Sequence, residues 1–159
     1  MQKLLSREQL DLTVQRLAYQ LIENDGEAND VVYIGLQPRG IYISDAITSV
    51  VKSISKKDIN YGKLDITFYR DDFKNEFHSA NQTDISFSVE NKKVVLIDDV
   101  LYTGRTIRAA LDALLDFGTD GKDLDRVAMS TTDFLGSFVF DIHLGAPPIS
   151  GGGILVDGP

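Results

Sequence analysis

The sequence contains no cysteine and only two histidines among its 159 residues. Without cysteine the chain forms no disulfide and holds no metal through thiolates. His78 and His143 have no partner at metal-ligand spacing. No apolar run approaches the roughly 20 residues that span a bilayer, and the first residues lack the long apolar stretch of a signal peptide. We therefore expect a cytoplasmic protein without membrane contact.

Positive charge is also in short supply, because 16 lysines and arginines face 24 acidic residues, a net charge of −8. This balance argues against a broadly basic nucleic-acid surface, but it is compatible with a local basic patch. The sequence also lacks a linker rich in proline and serine. Its length suits one core of ordinary size. We expect a single domain over residues 1–159.

Residues 94–106 combine three features that suit a phosphorylated ribose. Residues 94–97 are aliphatic and predict a buried parallel strand, and Asp98 and Asp99 follow at its carboxyl end, where open α/β sheets bind ligands. Backbone N–H groups of residues 103–106, at the start of a helix, could cradle a phosphate, and Gly104 would let the backbone approach it closely. The alternative is that the acidic pair only caps the next helix.

This stretch resembles the 5-phosphoribosyl-1-pyrophosphate (PRPP) signature of type I phosphoribosyltransferases. The resemblance implies that Asp98 and Asp99 contact the ribose hydroxyls and the water shell of a Mg²⁺ ion. Asp99 is also a candidate general base in the reverse direction. The residues implied in binding the 5-phosphate are Thr103, Gly104, Arg105 and Thr106.

The rest of the chain alternates between helical and strand patterns. Helices are predicted at 6–24, 41–53 and 106–117, and strands at 31–36, 63–70 and 94–97, with a polar loop at 71–82. Ser6 with Gln9 suggests a capping box at the first helix. We expect the type I phosphoribosyltransferase fold, an α/β fold with a central, mainly parallel sheet, helices on both faces and a small divergent C-terminal hood.

Three blocks, at 35–42, 64–72 and 98–110, are similar to the PyrR family in order and spacing. The similarity covers roughly residues 5–118. That family couples attenuation of the pyrimidine operon with uracil phosphoribosyltransferase activity. In the family the turn that holds Arg39 and Gly40 binds diphosphate, a use that the guanidinium and backbone N–H groups suit. Without the resemblance, the turn would also suit a simple connection with a solvated arginine.

Arg70 ends the second predicted strand, before a segment that closes over the diphosphate in the family. The resemblance implies a catalytic role for Arg70 in a site from which water is excluded. A surface ion pair between Arg70 and Asp71 is the alternative. His78, in the same segment, is a candidate phosphate contact, although a solvated loop histidine is the commoner case.

From residue 119 onward the chain departs from the family pattern. Only Asp133 and residues 141–145 fall near the expected places, and the family's Asp-Arg arginine and hood lysine are missing. This segment carries two basic and six acidic residues, which contribute −4 to the net charge. An altered base specificity, a truncation or an error in the recorded sequence would each produce the departure.

The sequence therefore predicts a Mg²⁺-dependent transfer of 5-phosphoribosyl from PRPP to a nucleobase. Uracil is the expected base, and UMP and diphosphate are the expected products. Two alternatives stay open. One is an RNA-binding attenuation regulator with weak or no catalysis. The other is a PRPP-dependent transferase for another nucleobase, or a ligand sensor without catalytic activity. We also expect a homodimer or higher homo-oligomer through the apolar residues of 68–87. The acidic charge disfavours RNA as a partner.

Overall fold

The computed structural model describes residues 6–25, 30–70, 82–90, 92–99, 104–117, 127–133, 136–142 and 156–157. Several predicted features lie outside the described residues. They are most of the loop at 71–82 with His78, the phosphate-binding residue Thr103, and much of the segment after residue 118 with His143. Within the described residues no helix is long and apolar enough to cross a membrane.

Helices and strands alternate over the first 117 residues, as predicted. The helices are α1 (Arg7–Asp25), α2 (Gly40–Ser55) and α3 (Arg105–Asp116). The strands are β1 (Val31–Gln37), β2 (Asn60–Asp65), β3 (Lys93–Ile97), β4 (Val127–Asp133), β5 (Gly136–Ile142) and β6 (Val156–Asp157). A short 3-10 helix, Thr67–Tyr69, follows β2.

The described strands form one sheet in the order β2-β1-β3-β4-β5-β6. β1 pairs in parallel with β2 and β3, and β3 pairs in parallel with β4. β5 and β6 extend the sheet in antiparallel fashion. This confirms the predicted α/β class with a mainly parallel sheet, and the described residues after residue 118 are strands of that sheet.

Helices cover both faces of the sheet. Side chains of the buried strands point alternately to the two faces and pack against these helices. Val32 of β1 and Leu96 of β3 belong to a buried cluster with α3. Their neighbours Tyr33 and Ile97 belong to the opposite cluster, with α1 and α2. β1 and β3 are therefore buried on both faces, which explains their nearly continuous apolar sequence.

The first helix begins as its sequence predicts. The Ser6 hydroxyl accepts the N–H of Gln9 at 3.1 Å, and the Gln9 side chain accepts the N–H of Ser6 at 2.8 Å. This reciprocal pair is a capping box, which satisfies two N–H groups that the helix itself leaves unpaired.

The strand predicted at residues 63–70 is wrong beyond Asp65. Oδ1 of Asp65 accepts both the backbone N–H of Thr67 at 2.8 Å and its hydroxyl at 2.5 Å. Such an aspartate-centred turn competes with strand pairing, and here it bends the chain into the 3-10 helix. The alternation of residue types continues through the turn, so periodicity alone predicted too long a strand.

Helix α2 packs closely on β1 because Gly35 has no side chain. A Cβ at Gly35 would lie 2.1 Å from Oγ of Ser44 in α2 and 3.2 Å from the hydroxyl of Tyr61 in β2. Since Ser44 is fully buried, its side chain has little room to move away. The distance between α2 and the sheet therefore depends on glycine at this position.

We expect Gly35→Ala to lower the free energy of unfolding by about 1–3 kcal/mol, the usual cost of overpacking a core. Urea unfolding would measure the change. In a Ser44→Gly background, where the conflicting side chain is gone, the same substitution should cost less than about 1 kcal/mol. Equal costs in both backgrounds would show that the contact with Ser44 is not the cause.

Candidate active site

The acidic pair lies at the carboxyl edge of the sheet, beside the turn that joins β1 to α2. β3 ends at Ile97, which pairs with Gly35 of β1, and Asp98 and Asp99 follow directly. The parallel register therefore places this pair next to the end of β1, where residues 37–40 turn into α2. This is the edge at which open α/β sheets bind ligands.

Gly40, the first residue of α2, lies against the end of β3. A Cβ on Gly40 would come within 2.9 Å of the carbonyl oxygen of Ile97 and 3.0 Å of Oδ1 of Asp98. Any side chain here would therefore push the helix start away from the acidic pair. The N–H groups at the start of a helix carry partial positive charge, so the contact brings a favourable anion site close to the carboxylates.

Arg39 and Asp99 form an ion pair across this edge. The Nε atom of Arg39 lies 3.1 Å from Oδ2 of Asp99, and the two side chains are 74% and 32% exposed. An exposed pair of this kind stabilises a fold by only about 0–1 kcal/mol. A ligand that offers phosphate oxygens to Arg39 can therefore replace Asp99 at little cost.

Asp98 differs from Asp99 in its burial, since it is only 7% exposed. Burial raises the pKa of Asp98 from 3.8 to about 7. The backbone N–H of Asp99, which donates to Oδ1 of Asp98 at 2.8 Å, opposes this rise. The negative charge of Asp99 adds to the rise, and Arg39 reduces it. One carboxyl of the pair is therefore held close to its point of ionisation near neutral pH.

Gly104 opens α3 in a conformation that suits glycine. Its φ is 75°, in the left-handed region, and no described residue beyond its chain neighbours lies within 4 Å of the position of a Cβ. The sequence predicted glycine here for close backbone approach, and the positive φ adds a second reason. Arg105 is exposed and Thr106 is half-buried in the first turn of α3. Their N–H groups provide a second helix start at the same edge.

Arg70 and the acidic pair follow strands that are not neighbours in the sheet. It follows the 3-10 helix after β2, and β1 lies between β2 and β3. Its backbone is extended, with φ −92° and ψ 127°, and its side chain is half-buried. The catalytic role predicted for Arg70 therefore stays a prediction.

Asp65 is a buried carboxyl at the same edge that sequence reasoning missed. It is 8% exposed and pairs in register with Gln37, and its Oδ2 has no hydrogen-bond partner among the residues that the structure describes. Buried oxygen atoms without a partner are rare in folded proteins. The signal was an acid at the carboxyl end of a strand, but the prediction of a strand at 63–70 placed Asp65 in mid-strand.

A cavity of about 720 Å³ opens beside the Arg39–Asp99 pair and runs between α1 and α2. Apolar residues from the two helices form most of its wall, among them Val14, Ile43 and Val50. The Arg39–Asp99 ion pair therefore lies between the polar edge of the sheet and this cavity.

Oxygen atoms are the donors that Mg²⁺ prefers, and it is usually held by one or two carboxylates together with substrate phosphates. Asp98 and Asp99 fit this use. No cluster of three or more acidic or histidine side chains that could hold a metal occurs among the described residues. The donor set thus suits an ion that arrives with a phosphate ligand.

Comparison with known proteins first identifies the class. The family model described as "Phosphoribosyl transferase domain" matches residues 2–120, so the chain belongs to the phosphoribosyltransferase family. Within this family it is similar to proteins named bifunctional protein PyrR. Over 111 residues it is 46% identical to the one from Enterococcus faecalis, with 67% of this chain and 61% of that protein covered.

The protein of the same name from Elusimicrobium minutum is 45% identical over 117 residues, with 72% of this chain and 65% of that protein covered. The PyrR resemblance predicted from the three sequence blocks is thereby confirmed. The chain spans about three fifths of the length of the curated relatives it matches.

Solved structures support the fold. A hypoxanthine phosphoribosyltransferase from Staphylococcus aureus has a TM-score of 0.58 at 18% identity, over 82% of this chain and 65% of that one. A purine phosphoribosyltransferase from Pyrococcus horikoshii has a TM-score of 0.53 at 21% identity, over 80% of this chain and 74% of that one. At these identities the likeness establishes the shared fold alone, and with it the predicted type I phosphoribosyltransferase architecture.

We expect Asp98→Asn to raise the free energy of unfolding at pH 8 by an amount on the order of a few kcal/mol. Because the native pKa is raised to about 7, the contribution of Asp98 to stability is fully present below about pH 3.8 and is lost as the pH rises through 7. Asparagine keeps an oxygen for the N–H of Asp99 and never ionises. Its advantage should therefore shrink as the pH falls from 7 to 5.

Thermal and urea unfolding at pH 5, 6, 7 and 8 would measure this trend. Asp112→Asn, at an exposed carboxylate of α3, controls for the loss of one charge. A difference between Asp98→Asn and the parent protein that stays constant with pH would contradict the raised pKa.

Proposed function

We propose that this chain transfers 5-phosphoribosyl from PRPP to a nucleobase, with release of diphosphate. The observation that carries the proposal is the position of Asp98 and Asp99 between two helix starts at one edge of the sheet. Gly40 lies directly against Asp98, and Gly104 opens α3 shortly after the pair. Two anion sites flanking two carboxylates match a substrate with a phosphate at each end of a ribose.

The start of α3 would bind the 5-phosphate. Residues Thr103, Gly104, Arg105 and Thr106 would surround it with N–H groups and hydroxyls, aided by the partial positive charge of the helix start. Because no described residue beyond its chain neighbours lies within 4 Å of a Cβ position at Gly104, a phosphate oxygen can approach the backbone there. This part of the site needs no chemistry and serves to place the sugar.

The start of α2 would bind the diphosphate. Arg39, with its guanidinium 74% exposed, can turn from Asp99 to phosphate oxygens. Asp99 would then face the ribose hydroxyls and the water shell of the metal. The transfer proceeds through a sugar with cationic character, which nearby carboxylates stabilise while the diphosphate leaves. Bound Mg²⁺ would supply further neutralisation of the leaving diphosphate.

Uracil is the proposed base, with UMP as the product, because residues 5–118 share the PyrR blocks. The segment that would select the base lies mostly outside the described residues. Titration calorimetry with PRPP and a panel of pyrimidine and purine bases would therefore decide the base. Binding of another base in place of uracil would leave phosphoribosyl transfer intact and change only the acceptor.

We place RNA-dependent attenuation below catalysis. The PyrR resemblance favours it, but residues 1–118 carry 14 basic and 18 acidic side chains. Each phosphate that is neutralised requires a nearby cation, so a useful RNA face would have to concentrate much of the available lysine and arginine. Of these, Arg39 already serves the diphosphate in this proposal.

We expect Asp98→Asn combined with Asp99→Asn to abolish turnover or weaken Mg²⁺-dependent PRPP binding at least tenfold, while the chain stays folded. The physical reason is the loss of both charges that face the ribose and the metal. Calorimetry with and without Mg²⁺, and release of diphosphate, are the measurements. The control is Asp112→Asn combined with Asp116→Asn. It removes the same two negative charges, but from α3 beyond its first turn. Full activity of the first double variant would refute the assignment.

We also propose that the chain forms a homodimer, partly through Phe68. This ring is 84% exposed, and Phe117 and Leu115 of the neighbouring α3 region are 48% and 44% exposed. The Tyr69 hydroxyl donates to Asp116 at 2.6 Å and holds the 3-10 helix beside the end of α3. The exposed apolar side chains therefore lie on neighbouring elements.

Sedimentation at tens of micromolar should detect a dimer, and Phe68→Ser should weaken it by about 10- to 100-fold, as expected for loss of a buried aromatic contact. Tyr19→Phe, at an exposed ring of α1, is the control. A parent protein that sediments as a monomer would rule the dimer out.

A further inference from the structure

A chain of hydroxyl groups joins α2 to the edge strand β2. The Tyr61 hydroxyl donates to Oδ1 of Asp45 at 2.6 Å and lies 2.7 Å from Oγ of Ser44. Because the single Tyr61 proton goes to the carboxylate, Ser44 must be the donor in the second contact. Ser44 also lies 3.1 Å from the carbonyl oxygen of Ile41, so its proton is shared between two acceptors.

The surroundings of this network keep the Tyr61 hydroxyl protonated. Ser44 is fully buried, and Lys63 lies 3.4 Å from Oδ1 of Asp45 and 5.9 Å above the centre of the Tyr61 ring. Burial raises the pKa of Tyr61, and its hydrogen bond to Asp45 raises it further. The tyrosine therefore remains a hydrogen-bond donor over the whole working pH range.

The network fastens the part of α2 that follows the diphosphate turn. Ile41, whose carbonyl accepts from Ser44, belongs to the first helical turn and comes directly after Gly40. Gly40 in turn touches Asp98 and the end of β3. The helix start is thus held at two places, by a glycine contact on β3 and by the hydroxyl network on β2.

We propose that Tyr61 and Ser44 are positioning residues for diphosphate, which hold the start of α2 at the distance where Arg39 and the first N–H groups meet the leaving group. This inference rests on the proposed function, since it concerns the same site. Neither side chain touches the substrate. Their effect arises because a shift of about 1 Å in a positioning element can cost as much as 100-fold in rate.

Two ligands separate this role from a general loss of structure. PRPP needs both helix starts, whereas ribose 5-phosphate lacks the diphosphate and needs only the start of α3. Tyr61→Phe should weaken PRPP binding by about tenfold, as for a lost hydrogen bond to a charged group, and leave ribose 5-phosphate binding within about twofold. Calorimetry in the presence of Mg²⁺ would measure both ligands.

Three variants complete the test. Tyr69→Phe removes a hydroxyl with an equally short bond to an aspartate, but at the far end of α3, about 18 Å from its start at 1.5 Å per residue. It should bind PRPP as the parent does. Ser44→Ala should behave as Tyr61→Phe does. Asp45→Asn keeps an acceptor oxygen for Tyr61 and should retain PRPP binding within about threefold.

Hydrogen exchange adds a readout without ligand, because amides of residues 42–45 should exchange faster in Tyr61→Phe than in the parent protein. Unchanged exchange with unchanged PRPP affinity would overturn the positioning role. Equal weakening of PRPP and ribose 5-phosphate would also overturn it, since the defect would then be general. A parent chain that binds ribose 5-phosphate but no PRPP would instead refute the proposed function, and the inference with it.

Discussion

The start of α2 can touch the end of β3 only because residue 40 has no side chain. With a Cβ, the helix would meet the carbonyl oxygen of Ile97 at 2.9 Å and the Asp98 carboxylate at 3.0 Å. That contact places a partly positive helix start beside a buried acid, and it sets the reach of Arg39, which precedes it. The ion pair with Asp99, the raised pKa of Asp98 and the proposed diphosphate site all depend on this short distance.

The burial of Asp98 works against the stability of the fold. A carboxyl in a nearly closed position loses hydration, and a single backbone N–H with a nearby guanidinium compensates for this only in part. An arrangement that is locally unfavourable, yet supported by two neighbouring elements, is typical of a functional site. The same reasoning does not apply to Asp99, which is half-exposed and pairs with Arg39.

The sequence predicted the inner part of the fold well, because its signals there agree with each other. The capping box at Ser6 predicts a helix start, and the apolar runs of β1 and β3 predict buried strands. The structure has each of these elements where the sequence predicts it. The strand predicted at 63–70 begins three residues later than β2 and runs five residues past its end. The overrun arises because alternation cannot distinguish a strand from an aspartate-centred turn, and the hydrogen bonds of Asp65 decide between them. No sequence signal indicated the close approach of Ser44 to Gly35, since such contacts depend on tertiary packing.

For the proposed site, the motif supplied the candidate residues but gave no information about their environments. Asp98 and Asp99 look equivalent in the sequence, and only the register of β3 with β1 and the approach of Gly40 bury one and leave the other paired at the surface. Tyr61, Ser44 and Asp45 carry no motif at all. They are neighbours because α2 crosses back over the parallel strands, which no local pattern predicts.

In the proposed function, the sugar phosphate and the base are recognised by different parts of the chain. Both helix starts come before residue 118: Gly40 lies against the end of β3, and Gly104 opens α3 with a positive φ. The departure from the PyrR pattern begins after that point. In that proposal, substitutions in the later segment would change the acceptor base. Similarity over the first 118 residues therefore supports the reaction more strongly than it supports uracil.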